Sequence, residues 1–191
     1  MSYITTYTGK HFDPTNPDIT QVDIQDIAHA LSLICRGNGH VKSFFSVGQH
    51  CINAAKEAAL RGCSDRVVLA CLIHDACECY MSDVPRPFKQ VLSSYIEAED
   101  RLLDLIYEKY LGSPLTPKEA QLVKSVDNDL LYYDMKELLN ELSDGPAPHL
   151  HIQLCYDFVP FDQVENEYLS LYKKYADLLK ITAKENANGK D

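Results

Sequence analysis

The sequence predicts an all-α fold, and three observations carry that expectation. Apolar residues recur at helical spacing over long segments, as in Ile24, Ile27, Leu31, Ile34 and Cys35. Helix start signals precede such segments: an S-x-x-Q capping box at Ser46 and Gln49, and Thr116-Pro117 followed by Glu119. Gly62 and Gly112 stand where two of the segments end. A single helical bundle over 1–191 with one or two short peripheral strands follows. At 191 residues a single domain buries roughly 70% of its unfolded-chain surface, so it can carry costly buried polar groups.

Residues 1–22 are rich in Thr, Pro and Asp without a helical period, an irregular segment that admits a short strand near Tyr3 to Tyr7. A helix opens at Asp23 and stops at R-G-N-G-H, whose glycines punctuate the chain. The second helix runs from its Ser46 cap to about Arg61, and Ser64 caps the third. Pro85 and Pro87 then break the chain within a stiff basic loop, V-P-R-P-F-K. A long amphipathic helix is expected from about Ser93 to Leu111, and another from Thr116 to about Leu142. The stretch S-D-G-P-A-P-H-L-H-I-Q-L-C-Y-D-F-V-P reads as loop with at most one short strand. Val164, Tyr168, Leu171, Tyr172, Tyr175 and Leu179 mark a last helix, and 183–191 read as a polar tail. No repeat, low-complexity block or linker interrupts the chain.

The formal net charge is −10, with 28 acidic against 18 basic residues. That balance argues against nonspecific binding to nucleic acid or anionic membrane, though not against a small anionic substrate. The N-terminus lacks the basic and apolar regions of a signal peptide, and no run approaches a membrane span. Seven cysteines, most within apolar helical patterns, suit reduced thiols in a cytoplasm.

Four ionisable side chains fall on faces that should be apolar. His50 borders the buried stripe of its helix, three residues after Val47 and four before Ala54. His74 follows Ala70 and Cys71 at helical spacing, with Asp75 as its neighbour. Asp127 lies four residues after Val123 and three before Leu130. Singly, each has an ordinary structural explanation: a hydrogen-bonded core histidine, or a carboxylate in a cap or ion pair. Together they form H…HD…D, two imidazoles and two carboxylates converging from three helices. An unpaired buried carboxylate costs several kcal/mol or takes up a proton. A divalent cation compensates such charge, and mixed N/O ligation suits Mn, Co, Fe, Zn or Mg.

With those residues in hand, the chain resembles the HD-domain metal-dependent phosphohydrolases, and within them the small bacterial and phage proteins grouped with 5′-deoxynucleotidases. The segments D-I-A-H-A-L-S-L-I-C-R-G-N-G-H, F-F-S-V-G-Q-H-C, L-I-H-D-A-C-E-C-Y-M-S-D-V-P-R-P-F-K and V-K-S-V-D-N-D-L-L carry the resemblance, in that order, over roughly residues 5–140. It implies His50, His74, Asp75 and Asp127 as metal ligands, with Asp129 a rival for the last place, and Glu78 and Asp83 as groups that assist catalysis. Spacing points the same way for Glu78, four residues after His74. Arg36 matches an arginine the family sets beside the phosphate; His40, Arg86 and Lys89 are further substrate-binding candidates.

The implied activity is release of phosphate from 2′-deoxynucleoside 5′-monophosphates. Some relatives instead cleave deoxynucleoside triphosphates to tripolyphosphate, and a non-catalytic nucleotide-binding role is a third reading. Self-association is common in the group, so a homo-oligomer is implied, and the tyrosines of the last helix suit either that surface or the core. One departure stands out: Gly37, Asn38 and Gly39 stand where relatives often place larger or aromatic residues, so a side chain packing on the ribose 2′ position would have to come from elsewhere, and sugar discrimination is not implied. His29, opposite the apolar stripe of its helix, is expected at the surface or against another segment. His149 and His151 read as surface histidines, and Cys77-x-Cys79, lacking a second cysteine pair, as packing thiols.

Overall fold

The structure, a computed structural model, describes residues 3–141 and 145–188. A small antiparallel hairpin opens the chain: β1 (Ile4–Thr5) pairs with β2 (His11–Phe12), Ile4 opposite Phe12. The first strand falls where the sequence admits one. The second has only two residues and no alternation to announce it. Phe12 is buried and stacks on Tyr80, with ring centroids 3.9 Å apart, which ties the hairpin to the bundle.

The helices follow their start signals. Asp23 caps α1 (Ile24–Leu33) by accepting from the Gln25 amide. Both halves of the Ser46–Gln49 capping box are formed at α2 (Val47–Leu60), and Ser64 caps α3 (Asp65–Ile73). After α3 come the short α4 (Glu78–Met81) and α5 (Arg86–Lys89), then α6 (Ser93–Leu111), closed by left-handed Gly112. Thr116 and Glu119 form a second capping box at α7 (Pro117–Leu139), and α8 (Phe161–Asn188) completes the fold.

Several details differ from the sequence reading. The basic loop winds into the helical turn α5, because Pro87 sits in a first turn, where no backbone N–H is needed. Helix α7 ends at Asn140, which adopts a left-handed φ of 55°; the expected end at Leu142 lies outside the described residues. The tail expected from residue 183 stays helical to Asn188, and 189–191 lie outside the described residues. Among the described residues, the segment 145–160 contains no strand.

Helix α3 is the central rod. Leu69, Ala70, Cys71, Leu72 and Ile73 are fully buried, with α2, α6, α7 and α8 packed around it. Each large apolar side chain so buried contributes about 1.5–3 kcal/mol. Helix α8 crosses both α1 and α3, and the buried Tyr168 hydroxyl donates to the Leu72 carbonyl at 2.8 Å. That bond satisfies an acceptor that the end of α3 leaves free. Tyr168 and Tyr175 of the last helix therefore belong to the core. All seven cysteines are free. Among the described residues, no helix is long and apolar enough to cross a membrane.

Two contacts fix how α2 lies in the bundle. At Gly48, a Cβ would stand 3.1 Å from Val164 Cγ1 and 3.2 Å from the Leu31 carbonyl, so α1, α2 and α8 meet where any side chain is crowded. Farther along, Glu57 is completely buried. Its carboxylate accepts from Arg61 Nε at 2.8 Å, from the amides of His151 and Ile152 at 2.9 and 3.0 Å, and meets His151 Nδ1 at 3.0 Å. This clamp holds the loop before α8 against α2. Burial alone would raise the Glu57 pKa, but the donors outweigh it and draw it down to about 2 from an ordinary 4.5.

Gly48→Val is expected to destabilise the fold by about 2–3 kcal/mol, because the added branched carbons overpack the Leu31 backbone and Val164; urea denaturation measures it. For Glu57, the depressed pKa means that its contribution is complete above pH 4.5 and lost as pH falls towards 2. Wild type should lose on the order of 2 kcal/mol across that window beyond the loss shown by Glu57→Gln. Denaturant titrations of both proteins between pH 2 and 7 check the difference, and equal pH slopes would refute it.

Candidate metal centre

The connection between α1 and α2 sets up one side of the site. The Arg36 amide donates to the Phe45 carbonyl at 2.8 Å, and the Val47 amide to that of Ile34 at 3.0 Å, so the strands of this loop run back to back. The reversal is made at Gly37, Asn38 and Gly39, whose φ values are 58°, 54° and 80°. Left-handed backbone is the province of Gly and Asn. The small residues that the sequence presents as a departure thus have a backbone reason. They return the chain so that Arg36 and the start of α2 face the same interior.

His50 projects from the first turns of α2 and is 1% exposed. His74 caps the C-terminus of α3, Asp75 follows it, and Asp127 comes from α7. His74 Nδ1 lies 2.7 Å from the Cys71 carbonyl oxygen. A carbonyl only accepts, so Nδ1 carries the proton and a neutral ring presents its Nε2 lone pair to the interior. His50 Nδ1 is likewise engaged, 2.9 Å from Asp134 Oδ2.

The opposite ring nitrogens converge on carboxylates. His50 Nε2 lies 3.3 Å from Asp127 Oδ1, and His74 Nε2 lies 3.7 Å from the same oxygen and 3.4 Å from Asp75 Oδ2. Yet neither Nε2 makes a hydrogen bond, although both are buried. These separations are the edges of a coordination polyhedron. With bonds of about 2.1 Å, adjacent ligands stand about 3.0 Å apart in an octahedron and about 3.4 Å in a tetrahedron. Ligand atoms of His50, His74 and Asp75 all lie within 4.8 Å of one another, so these three can hold a metal ion. Asp127 flanks both histidines through Oδ1, while its Oδ2 is 3.2 Å from Lys124 Nζ.

Electrostatics express the same demand for positive charge. Burial pulls the His50 pKa down and Arg36 adds to that pull, but Asp127 and Asp134 outweigh both and raise it. His74 is raised well above the usual imidazole value, Asp75 overcoming the effect of burial. Burial opposes ionisation of Asp127, yet the two histidines hold its pKa far below the carboxylate range. Raised imidazoles beside a depressed carboxylate mark a cluster in which negative charge is in excess.

The other sequence candidates fall into two groups. Glu78 is buried, with Oε2 lacking any partner. It does not continue the helix of His74: α3 ends at Ile73, and i→i−3 bonds such as Glu78 N–H to Asp75 O tighten the turn between them. Burial, reinforced by Asp75 and Asp83, lifts its pKa well above the carboxylate range. Burial raises Asp83 too, with Arg36 opposing. Ser82, just before Asp83, takes the unusual φ of 69° with ψ 157°, in a turn where Tyr95 donates its hydroxyl to the Ser82 carbonyl at 3.0 Å. Arg36 lies 3.6 Å from Asp75 and 3.3 Å from Asp134, and these acids keep it charged despite burial.

Lys89 is engaged with Glu99 at 2.7 Å. Arg86 and His40 are exposed, and neither is drawn into the cluster. Asp129 is also elsewhere, bonded to Arg61 at 2.9 Å. His29 pairs with Glu165 at 2.9 Å and stacks on Tyr7.

Asp134 is the residue that sequence reasoning missed. It is 4% exposed and binds His50, Arg36 and the Tyr156 hydroxyl, the last at 3.1 Å. The signal was present: Asp134 lies four residues after Leu130 and seven after Asp127, on the same inward stripe of α7. Tyr156 had no such signal, since it comes from an irregular loop.

Fold and site together define a helical-bundle protein with a buried histidine–aspartate cluster able to hold a metal ion. No model of a known family matches the chain. The uncharacterized protein YfdR of Escherichia coli K12 is 37% identical over 147 residues, which cover 76% of each chain. An uncharacterized protein of Rhodobacter capsulatus is 29% identical over 126 residues, 63% of this chain and 64% of that relative. The chain belongs to the family of YfdR.

Proposed function

We propose that this protein is a metal-dependent nucleotide phosphohydrolase of the HD-domain type, releasing phosphate from 2′-deoxynucleoside 5′-monophosphates. The observation that carries the reading is the pair of buried imidazole nitrogens, each with its opposite nitrogen engaged and no partner of its own. His50, His74, Asp75 and Asp127 would hold the cation. When bound, it would lower the pKa of a water and polarise a phosphoryl oxygen.

The chain's own residues supply the rest. Glu78, whose pKa is raised by burial and by Asp75 and Asp83, can give its proton to the nucleoside oxygen as the P–O bond breaks, while Asp83 takes a proton from the water whose oxygen bonds to phosphorus. Asp83 stands beside it as the second proton-handling carboxylate. Arg36, charged and held between Asp75 and Asp134, offers fixed positive charge to the phosphate oxygens as their charge shifts.

Purified protein incubated with deoxynucleoside mono- and triphosphates, with EDTA or with added Mn, Co or Mg, tests the reading. Metal-dependent orthophosphate from monophosphates is expected. Tripolyphosphate would instead identify a triphosphohydrolase using the same centre, and no turnover on any nucleotide would leave a binding protein. Asp127→Ala should lose both metal and activity. Glu78→Ala should keep its metal while turnover falls roughly 10²–10⁴-fold; full activity would remove Glu78 from the mechanism.

A further inference from the structure

We propose that Asp134 is a positioning residue of the metal centre, fixing the ligand face of His50 and coupling it to Arg36 and to the loop that carries Tyr156. The proposal rests on the metal-centre reading above and goes beyond it to a residue outside the ligand set. His50 presents Nε2 to the cluster only if its other nitrogen is held. Asp134 Oδ2 holds it, at 2.9 Å from Nδ1. A carboxylate hydrogen-bonded behind a ligating histidine fixes the ring's tautomer and orientation and raises its basicity.

The same oxygen also accepts from Arg36 at 3.3 Å, so one atom orients a ligand and the nearest guanidinium together. The other oxygen is taken by the Tyr156 hydroxyl at 3.1 Å. Asp134 is therefore used on both oxygens, and its own orientation is set by an arginine and a tyrosine from opposite ends of the chain. Tyr156 in turn belongs to the loop that Glu57 clamps through His151 and Ile152. A loop on the far side of the sequence thereby braces a ligand on α2. His74 needs no such carboxylate, because the Cys71 carbonyl of its own helix serves.

The test titrates metal-stripped protein with MnCl₂ alone by calorimetry, with thermal unfolding of the metal-free proteins followed in parallel. Wild type, Asp134→Ala, Asp134→Asn and Tyr156→Phe are compared. Asp134→Ala should weaken Mn binding about 10–100-fold. Asp134→Asn should weaken it less, because an amide oxygen can still accept from His50 Nδ1–H. A purely structural role would lower the unfolding temperature and leave the affinity of the folded protein unchanged, which would overturn the proposal. If Asp134→Ala does not fold, Asp134→Asn and Tyr156→Phe decide, and wild-type affinity in both overturns it. Failure of wild type itself to bind Mn would instead overturn the metal-centre reading, and this proposal with it.

Discussion

Two imidazole nitrogens, His50 Nε2 and His74 Nε2, are buried without a hydrogen-bond partner, and the bundle is organised around them. A buried polar group left unmet costs about 1–3 kcal/mol. Each ring is nonetheless pinned through its opposite nitrogen, so neither can turn away to find a partner. Three acids, Asp75, Asp127 and Asp134, surround the pair and would repel one another if nothing positive stood between them. A natural resolution is a divalent cation, which accepts both lone pairs and neutralises charge at one point.

Holding such a point requires rigidity on three helices at once. The apolar rod of α3 places His74 and Asp75 at its end, Gly48 lets α2 come close enough to bring His50 alongside, and α7 presents Asp127 and Asp134 from one stripe. The polar network extends outward through Arg36 and Tyr156, each fixed by the same carboxylate. Among the described residues, Glu78 Oε2 is the one other buried side-chain atom left unmet, and its elevated pKa suits a group that carries a proton. The long apolar side chains stabilise the fold; the polar residues determine what it can hold.

Much of this was legible in the sequence because its causes are local. Capping boxes act over three residues, and Ser46–Gln49 and Thr116–Glu119 form as written. The four candidate ligands were visible as charges on apolar stripes, the rule that also admits Asp134. What was hidden depends on distant partners. The Glu57 clamp joins residues 94 apart in the chain, and Tyr156 reaches Asp134 from a loop without periodicity. His40 and Arg86 lie inside segments that carry the resemblance, yet their side chains stand exposed, since resemblance to a motif does not fix where a loop side chain turns. The Gly-Asn-Gly run shows the converse: residues read for their missing side chains serve the backbone, through positive φ.

On the proposed function, one cation belongs between His50, His74, Asp75 and Asp127. Anomalous diffraction from crystals of the protein grown with MnCl₂ addresses it directly. A single strong peak is expected about 2.0–2.3 Å from His50 Nε2, His74 Nε2 and one oxygen each of Asp75 and Asp127. This expectation would be contradicted by a site empty of anomalous signal at saturating manganese, with both Nε2 atoms hydrogen-bonded to protein or water instead.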